Sequence, residues 1–385
     1  MCGRQHSLAR LVNFGIPFMA NKSAILLVHG MGNNTPPQDG KPGSFGKEFI
    51  AATTASLQQF KKHAGESLSN YVDIHEFNYN VWFDQMRTTM ANNAKYMTER
   101  LAAVSGIYGA SVPLDLASKL NGFEAKFGDD SFFYTHCLDV IFYGTMLGAK
   151  VRVDAAAKIA ELVENYGGAN VHVIAHSLGT AVVHDTLHLL YRREHDPDDK
   201  IADLDIVTHQ LGSVWMFANV SRLVNSVSRL SNPLGTVVRP GVGGCTASFF
   251  NVRHALDPFT WLAQFNPPNN GSWISESAYT MSYRSIVTDL IIEANTHSFP
   301  QYLSDPHTVE RLIPFILGTK FQGTLAEFAK LTSACSAKSL NGAYAALDDA
   351  LKGALQTPDS ISGWMDFLNT AKKFEEAVKH IKENF

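Results

Sequence analysis

Four cysteines in 385 residues, Cys2, Cys137, Cys245 and Cys335, are few and widely scattered. None forms a C-x-x-C pair, which removes the zinc knuckle and the redox dithiol from consideration. Free thiols in a reducing compartment follow, since a chain this long builds its core without a disulfide. An excess of positive charge is also missing: 32 Lys and Arg stand against 36 Asp and Glu, a formal net charge of −4. With no basic stripe to displace phosphate counterions, nucleic acid is not an expected partner. Nor does any uninterrupted apolar run reach the roughly 18–20 residues that a membrane-spanning helix needs. The richest stretch, "SFFYTHCLDVIFYGTMLGAKV", carries His136 and Asp139 and reads as a packed helix.

The first residues offer little either. "ARLVNFGIPFM" has arginines before a short apolar run, but Asn13 and Pro17 interrupt it and no small-residue cleavage site follows. Met19 opens "MANKSAILLVHG", which reads as a cytosolic beginning directly before a strand, so a cytoplasmic location is expected and residues 1–21 are set apart as an extension.

What is present is an alternation of strands and helices. "SAILLVHG" is a short apolar run ending in Gly, as for a strand buried on both faces. A Gly/Pro/Asn-rich loop follows, then a helix over 47–62 and the alternating "YVDIHEFNY". Helices are expected over 84–104 and 131–165, with an irregular stretch over 106–130. "NVHVIAHS" reads as a strand and "LGTAVVHDTLHLLYRR" as a helix with basic residues in its last turn. "LDIVTHQLGSV" and "ASFFNVRHALDP" read as two further strands. The fold class is therefore α/β, a mostly parallel, doubly wound sheet over residues 22–320. Segments 80–130, 213–245 and 259–285 are expected to be helical cap insertions. After Gly318 only amphipathic helical patterns remain, so 321–385 forms a C-terminal helical appendix that packs on the body or makes a homo-oligomer contact.

One stretch bears on chemistry. "VHVIAHSLGT" places Ser177 in a corner between strand and helix, with Ala175 and Gly179 two residues to either side. Such a turn exposes its central side chain at the carboxyl end of a sheet and demands small neighbours; this one departs from G-x-S-x-G by a methyl group. A serine hydroxyl needs a histidine base and an acid to orient it, and both should come from later strands in the order Ser, acid, His. Asp257 stands just past the strand "FFNVRHA", and His297 in the later loop "EANTHSFPQYL". Asp203 and Asp205 precede their strand and so emerge at the opposite edge, while Asp289 and Glu293 read as structural. His254 and His307 read as packing or surface histidines.

Acyl transfer also needs donors for an oxyanion. The N–H of Leu178 at the helix start is one, and the second should come from "VHGMG", where Gly30 and Met31 approach the nucleophile. His29 reads as a turn-stabilising side chain. His184 and His188, four apart on a helix, lack a third metal ligand and read as a satisfied or solvent-facing pair. Asp139 and Asp185 read as structural groups near the sheet edge. "GVGGC" at 241–245 lacks the Lys-Ser/Thr of a phosphate loop and reads as a flexible connection.

Taken in order, "LLVHGMGNN", "VIAHSLGTAVVHDTL", "HQLGSV", "FFNVRHALDPF" and "NTHSFPQYL" resemble the α/β-hydrolase superfamily, in particular intracellular lipase- and phospholipase-like serine hydrolases, across roughly residues 22–318. The resemblance implies Ser177 as nucleophile, His297 as base, Asp257 as orienting acid, and Met31 and Leu178 as oxyanion donors. The expected activity is hydrolysis of a carboxylic ester, with a lean towards lipophilic or acyl-chain substrates because the insertions are apolar. No metal or organic cofactor is expected. Acyl transfer, thioester or peptide cleavage by the same residues, or a non-catalytic scaffold, stand as alternatives.

Overall fold

The structure, a computed structural model, describes residues 22–32, 34–89, 139–194, 200–261, 263–267, 282–292 and 295–336, with positions 92, 93, 96, 370, 373, 374 and 376. The extension 1–21, most of the insertions 80–130 and 259–285, and most of the appendix beyond 336 lie outside the described residues.

The run "SAILLV" forms β1 (Ser23–Val28), buried in its last five positions. Alternate side chains of a strand point to opposite faces, so both sides must be covered. Ala24, Leu26 and Val28 enter one apolar core, and Ile25 and Leu27 enter the other. Helix α1 (Ser44–Leu57) begins three residues earlier than its periodicity indicates. The Glu76 carboxylate explains this by accepting the Gly43 and Gly46 N–H groups at 3.0 and 3.1 Å, which anchors the helix start. β2 (Val72–Phe77) pairs with β1 in parallel, and helix α2 spans 80–89.

A π-helical turn, Phe142–Leu147, leads into α3 (Gly148–Tyr166). Gly148 is needed where the two meet, because a Cβ there would sit 2.1 Å from the Tyr143 carbonyl oxygen. β3 (Val171–His176) is buried throughout and runs into α4 (Leu178–Arg192). β4 (Leu211–Phe217), α5 (Ser221–Ser228), β5 (Thr246–His254), the one-turn α6 (Pro258–Trp261) and β6 (Tyr283–Thr288) follow. Helices α7 (Phe299–Ser304), α8 (Pro306–Leu317) and α9 (Leu325–Ser336) close the described chain.

The sheet has six strands in the order β2-β1-β3-β4-β5-β6, each neighbouring pair parallel. Helices α3, α4 and α5 cover one face through Val151, Ile159, Leu187 and Leu223. The other face is covered by α1, α7 and α8 through Phe49, Phe299, Leu312 and Ile316. Trp215 and Phe250 from adjacent strands stack there with centroids 3.7 Å apart.

Three expectations change. In "LDIVTHQLGSV" the strand does not begin until Leu211. Asp205 Oδ1 accepts the N–H groups of Val207 and Thr208 at 2.8 Å, so 206–208 is a turn with Val207 exposed, and "WMF" of the supposed insertion completes the strand. "GVGGC" is a held turn, not a loose connection: Gly241 N–H bonds Thr246 O, Cys245 N–H bonds Val237 O, and the Gln210 amide donates to Gly241 O and Gly244 O. The expected insertion 259–285 runs into a strand: Tyr283, Arg284 and Ser285 open the edge strand β6 and belong to the sheet. The first appendix helix packs on the body, Phe328 meeting Phe60 edge-on at 4.8 Å. Among the described residues, no helix is long and apolar enough to cross a membrane.

His172 on β3 shows how this packing couples to pH. It is bonded to Ser213 Oγ at 2.8 Å, and burial lowers its pKa to about 4. The unfolded chain takes up a proton near 6.5 that the folded chain refuses until about pH 4, so stability falls as pH drops through that window. Buried His29, lowered to about 4 by the same cause, acts in the same direction. Urea midpoints measured from pH 7 to pH 4 are expected to decline, and less steeply in His172→Gln.

Candidate active site

The chain leaves β1 towards β2 on one side and later lays β3 on the other. Connections diverge between these two strands, and a crevice opens at their carboxyl ends. His29, Gly30 and Met31 emerge there from β1, and Ser177 from β3.

Ser177 sits in the turn with φ 52° and ψ −126°. A side-chain-bearing residue in such a conformation carries about 1–3 kcal/mol of strain unless its surroundings hold it. Its N–H donates to Phe217 O at 3.0 Å, and its carbonyl accepts the Thr180 N–H at 2.8 Å and the Thr180 hydroxyl at 2.6 Å. Close approach to the β1 loop demands the small neighbours. A Cβ on Gly179 would lie 2.4 Å from His29 O, and one on Gly30 would lie 2.8 Å from Ser177 Cβ. Ala175 is different: it pairs with Val28 in the sheet and its methyl belongs to the core, so glycine is not needed there. Replacing Ser177 with Gly releases the strain against a glycine entropy penalty of roughly 0.5–1 kcal/mol. The expected outcome in calorimetry is a stabler protein, by about 1 kcal/mol or a few degrees in Tm.

The structure brings Ser177, His297 and Asp257 together. Ser177 Oγ lies 2.8 Å from His297 Nε2, and His297 Nδ1 lies 2.8 Å from Asp257 Oδ2. Asp257 is fully buried and also accepts the Phe259 N–H at Oδ1 (3.0 Å) and the Tyr302 hydroxyl at Oδ2 (2.6 Å). An ionised carboxylate only accepts, so Nδ1 of His297 carries the hydrogen and the Nε2 lone pair faces the serine hydroxyl. The His297 backbone is held on both sides: its N–H donates to Asn295 Oδ1 at 2.9 Å, and its carbonyl accepts from His176 Nε2 at 2.8 Å. The Phe259 ring lies 4.2 Å from the His297 ring, centroid to centroid. Such a chain can pass the serine proton to imidazole and stabilise the resulting cation.

Two backbone N–H groups belong to the turns that meet at Ser177, where a Cβ on Gly30 would lie 2.8 Å from Ser177 Cβ. Leu178 is the first residue of α4, so its N–H has no intrahelical acceptor. Met31 shares a peptide with the Gly30 carbonyl, which is held by His29 Nδ1 at 2.6 Å and lies 3.1 Å from the Tyr79 hydroxyl, whose one hydrogen is shared with His29 O at 2.8 Å. The Tyr79 backbone N–H donates to His29 Nε2 at 3.2 Å, which requires the proton on Nδ1 and makes His29 a donor to Gly30 O. The peptide is trans, so with its carbonyl tied towards His29 and Tyr79 the Met31 N–H points the opposite way. His29 thus stabilises the turn.

Asp139 is a structural hydrogen-bonding group at the carboxyl end of the sheet, beside the loop that follows β1. It is fully buried behind the β1 loop, accepts the Gly32 N–H at 2.9 Å and pairs with the Arg87 guanidinium. Burial raises its carboxyl to about 7, with the Arg87 charge and the Gly32 N–H pulling down. Asp185 accepts the Tyr143 hydroxyl at 2.8 Å, tying α4 to the π-helical turn before α3 in the helix layer, not at the sheet edge.

The other candidates lie elsewhere. Asp203 pairs with Arg193, and Asp205 holds its turn before β4. His254 is buried, accepting the Leu256 N–H and donating to Leu290 O, and His307 bonds Asp305. Asp289 follows β6 but points to solvent, and Glu293 lies outside the described residues. His184 bonds Thr236 Oγ1 at 2.8 Å, and His188 is partly buried. Among the described residues no group of three His, Cys, Asp or Glu is placed to hold a metal.

Tyr302, Tyr79, His176 and Arg87 escape sequence reasoning. Tyr302 stands in "HSFPQYL", five residues after His297, but nothing local marks its hydroxyl as turned back on Asp257. No family model and no curated protein matches the chain. The architecture on its own is that of an α/β protein with an all-parallel six-stranded sheet flanked by helices on both faces, its candidate residues gathered at the switch between β1 and β3.

Proposed function

We propose that the chain is a serine hydrolase of the α/β-hydrolase type, cleaving carboxylic esters through an acyl-enzyme. The observation that carries this reading is the unbroken hydrogen-bonded path from Ser177 Oγ through the His297 ring to Asp257 Oδ2, in a turn with positive φ at the carboxyl end of a central strand. The sheet has six strands rather than the eight usual in that superfamily, yet nucleophile, acid and base follow β3, β5 and β6 in the required chain order. Ser177 attacks the acyl carbonyl while His297 takes its proton. Asp257 stabilises the imidazolium, and the Met31 and Leu178 N–H groups hold the oxyanion. His297 then returns the proton to the leaving alcohol and activates water to release the acid. Apolar neighbours, Phe259 against the His297 ring and the partly buried Met31 on the adjoining core, favour a lipophilic acyl group over a charged one.

A fluorophosphonate probe is expected to label the native chain at Ser177 and to leave Ser177→Ala unlabelled. A chromogenic ester series of increasing acyl length then gives the preference. Failure of the native protein to react with the probe and with every ester would overturn the proposal.

A further inference from the structure

We infer that Tyr302 is a positioning residue for the base, its phenol sharing with His297 a single oxygen of Asp257 and thereby setting how strongly that carboxylate holds the imidazole. Its catalytic consequence rests on the hydrolase reading above; the geometry does not.

Asp257 Oδ2 receives the Tyr302 hydroxyl at 2.6 Å and His297 Nδ1 at 2.8 Å, while Oδ1 is taken by the Phe259 N–H at 3.0 Å. The direction of the tyrosine proton follows from its other partner. The His254 backbone N–H lies 3.0 Å from Tyr302 Oη and can only donate, so the phenol accepts there and commits its one hydrogen to Asp257. Tyr302 is fully buried on α7, and burial together with the Asp257 charge pushes the phenol well above its ordinary value, so it stays protonated.

Two effects follow. The phenol draws charge from the oxygen that faces His297, so the carboxylate stabilises an imidazolium less than it would with that oxygen free. It also fixes where Oδ2 sits, and so the ring angle that presents Nε2 to Ser177. A phenyl ring would fill nearly the same space and supply neither effect. Among the described residues, the other titratable and charged groups here are His176 on β3, facing His297, Arg253 and His254 on β5, and Asp289 after β6 and Asp305 after α7, which act on His254. All are unchanged by a substitution at 302.

The test is an NMR titration of the full chain carrying isotope-labelled histidine, with the His297 signal assigned by its loss in His297→Gln. In Tyr302→Phe the His297 ring is expected to take its proton at higher pH than in the parent, by roughly half a pH unit or more. Incorporation of 3-fluorotyrosine, a stronger donor that keeps the ring and both hydrogen bonds, is expected to move it to lower pH. This second variant carries the test if Tyr302→Phe, which strips the His254 N–H of its acceptor, does not fold. The acid limb of kcat/KM for an ester follows the same two directions. An unmoved His297 titration, or shifts of the opposite sign, overturns the inference. A titration that moves as expected in a protein inert to fluorophosphonate and to every ester leaves the inference standing and removes the hydrolase reading instead.

Discussion

Replacing Ser177 with Ala is expected to lower kcat for a chromogenic ester by about 10⁵- to 10⁶-fold, with little change in Tm. On the proposed reading the nucleophile, its base and the acid act as one unit, and without the hydroxyl the imidazole has no proton to take. What remains is the polarisation of the carbonyl by the two backbone donors, which on their own supply roughly 10³- to 10⁴-fold over water. Stability is spared for a local reason. Alanine keeps the Cβ that stands beside Gly30, and the bonds that hold the turn, from Ser177 N–H to Phe217 O and from Thr180 to Ser177 O, are to its backbone. Steady-state kinetics on both proteins at matched active concentration decide it. A variant within tenfold of the parent would mean that the reaction runs through another group.

Asp257→Asn is expected to reduce kcat by about 10⁴-fold and to lower Tm as well. The reason is a count of donors. Phe259 N–H, Tyr302 O–H and His297 Nδ1–H all give to this carboxylate, and an amide returns only one accepting oxygen. Suppose the amide nitrogen faces His297. The ring proton then moves to Nε2, the tautomer that cannot accept from Ser177. Turned the other way, the amide sets its NH₂ against the Phe259 N–H in a fully buried site, and two donors confront each other without water. Both outcomes are costly, but only the first removes the base, so a pre-steady-state burst that survives with a slow rate would identify the second. A kcat loss under tenfold would show that Asp257 does not orient the base.

Much of the candidate site could be read from the chain because its signals are local. The corner at Ser177 needs small residues within two positions of the nucleophile, and crowding of that kind leaves a mark in sequence. Asp257 and His297 could be placed because each stands past a strand or in a loop on the required side of Ser177. β4 and β6 were harder. Asp205 folds 206–208 into a turn that a run of apolar residues conceals, and β6 exposes Arg284 and Ser285 at the sheet edge, so it lacks the continuous apolar pattern of β1 and β3.

The partners of the candidate residues were not legible, and distance along the chain is the cause. Tyr302 meets Asp257 across 45 residues, Tyr79 meets Gly30 across 49, and Asp139 meets Gly32 across 107. A hydroxyl on an apolar helix or a carboxylate in "LDVIFY" looks the same whether it serves the site or merely satisfies the core.

The sequence alone determined the α/β class, the placing of Ser177 at a strand-to-helix corner and the chain order of Ser177, Asp257 and His297. These depend on side-chain periodicity and backbone crowding, which act over a few residues. Only the tertiary structure decided the strand order β2-β1-β3-β4-β5-β6 and, through it, which hydrogen points where: the proton on His297 Nδ1, the tautomer of His29 and the phenol on Asp257. Those assignments come from donors and acceptors that the sheet carries together, and in a buried site each must find its complement.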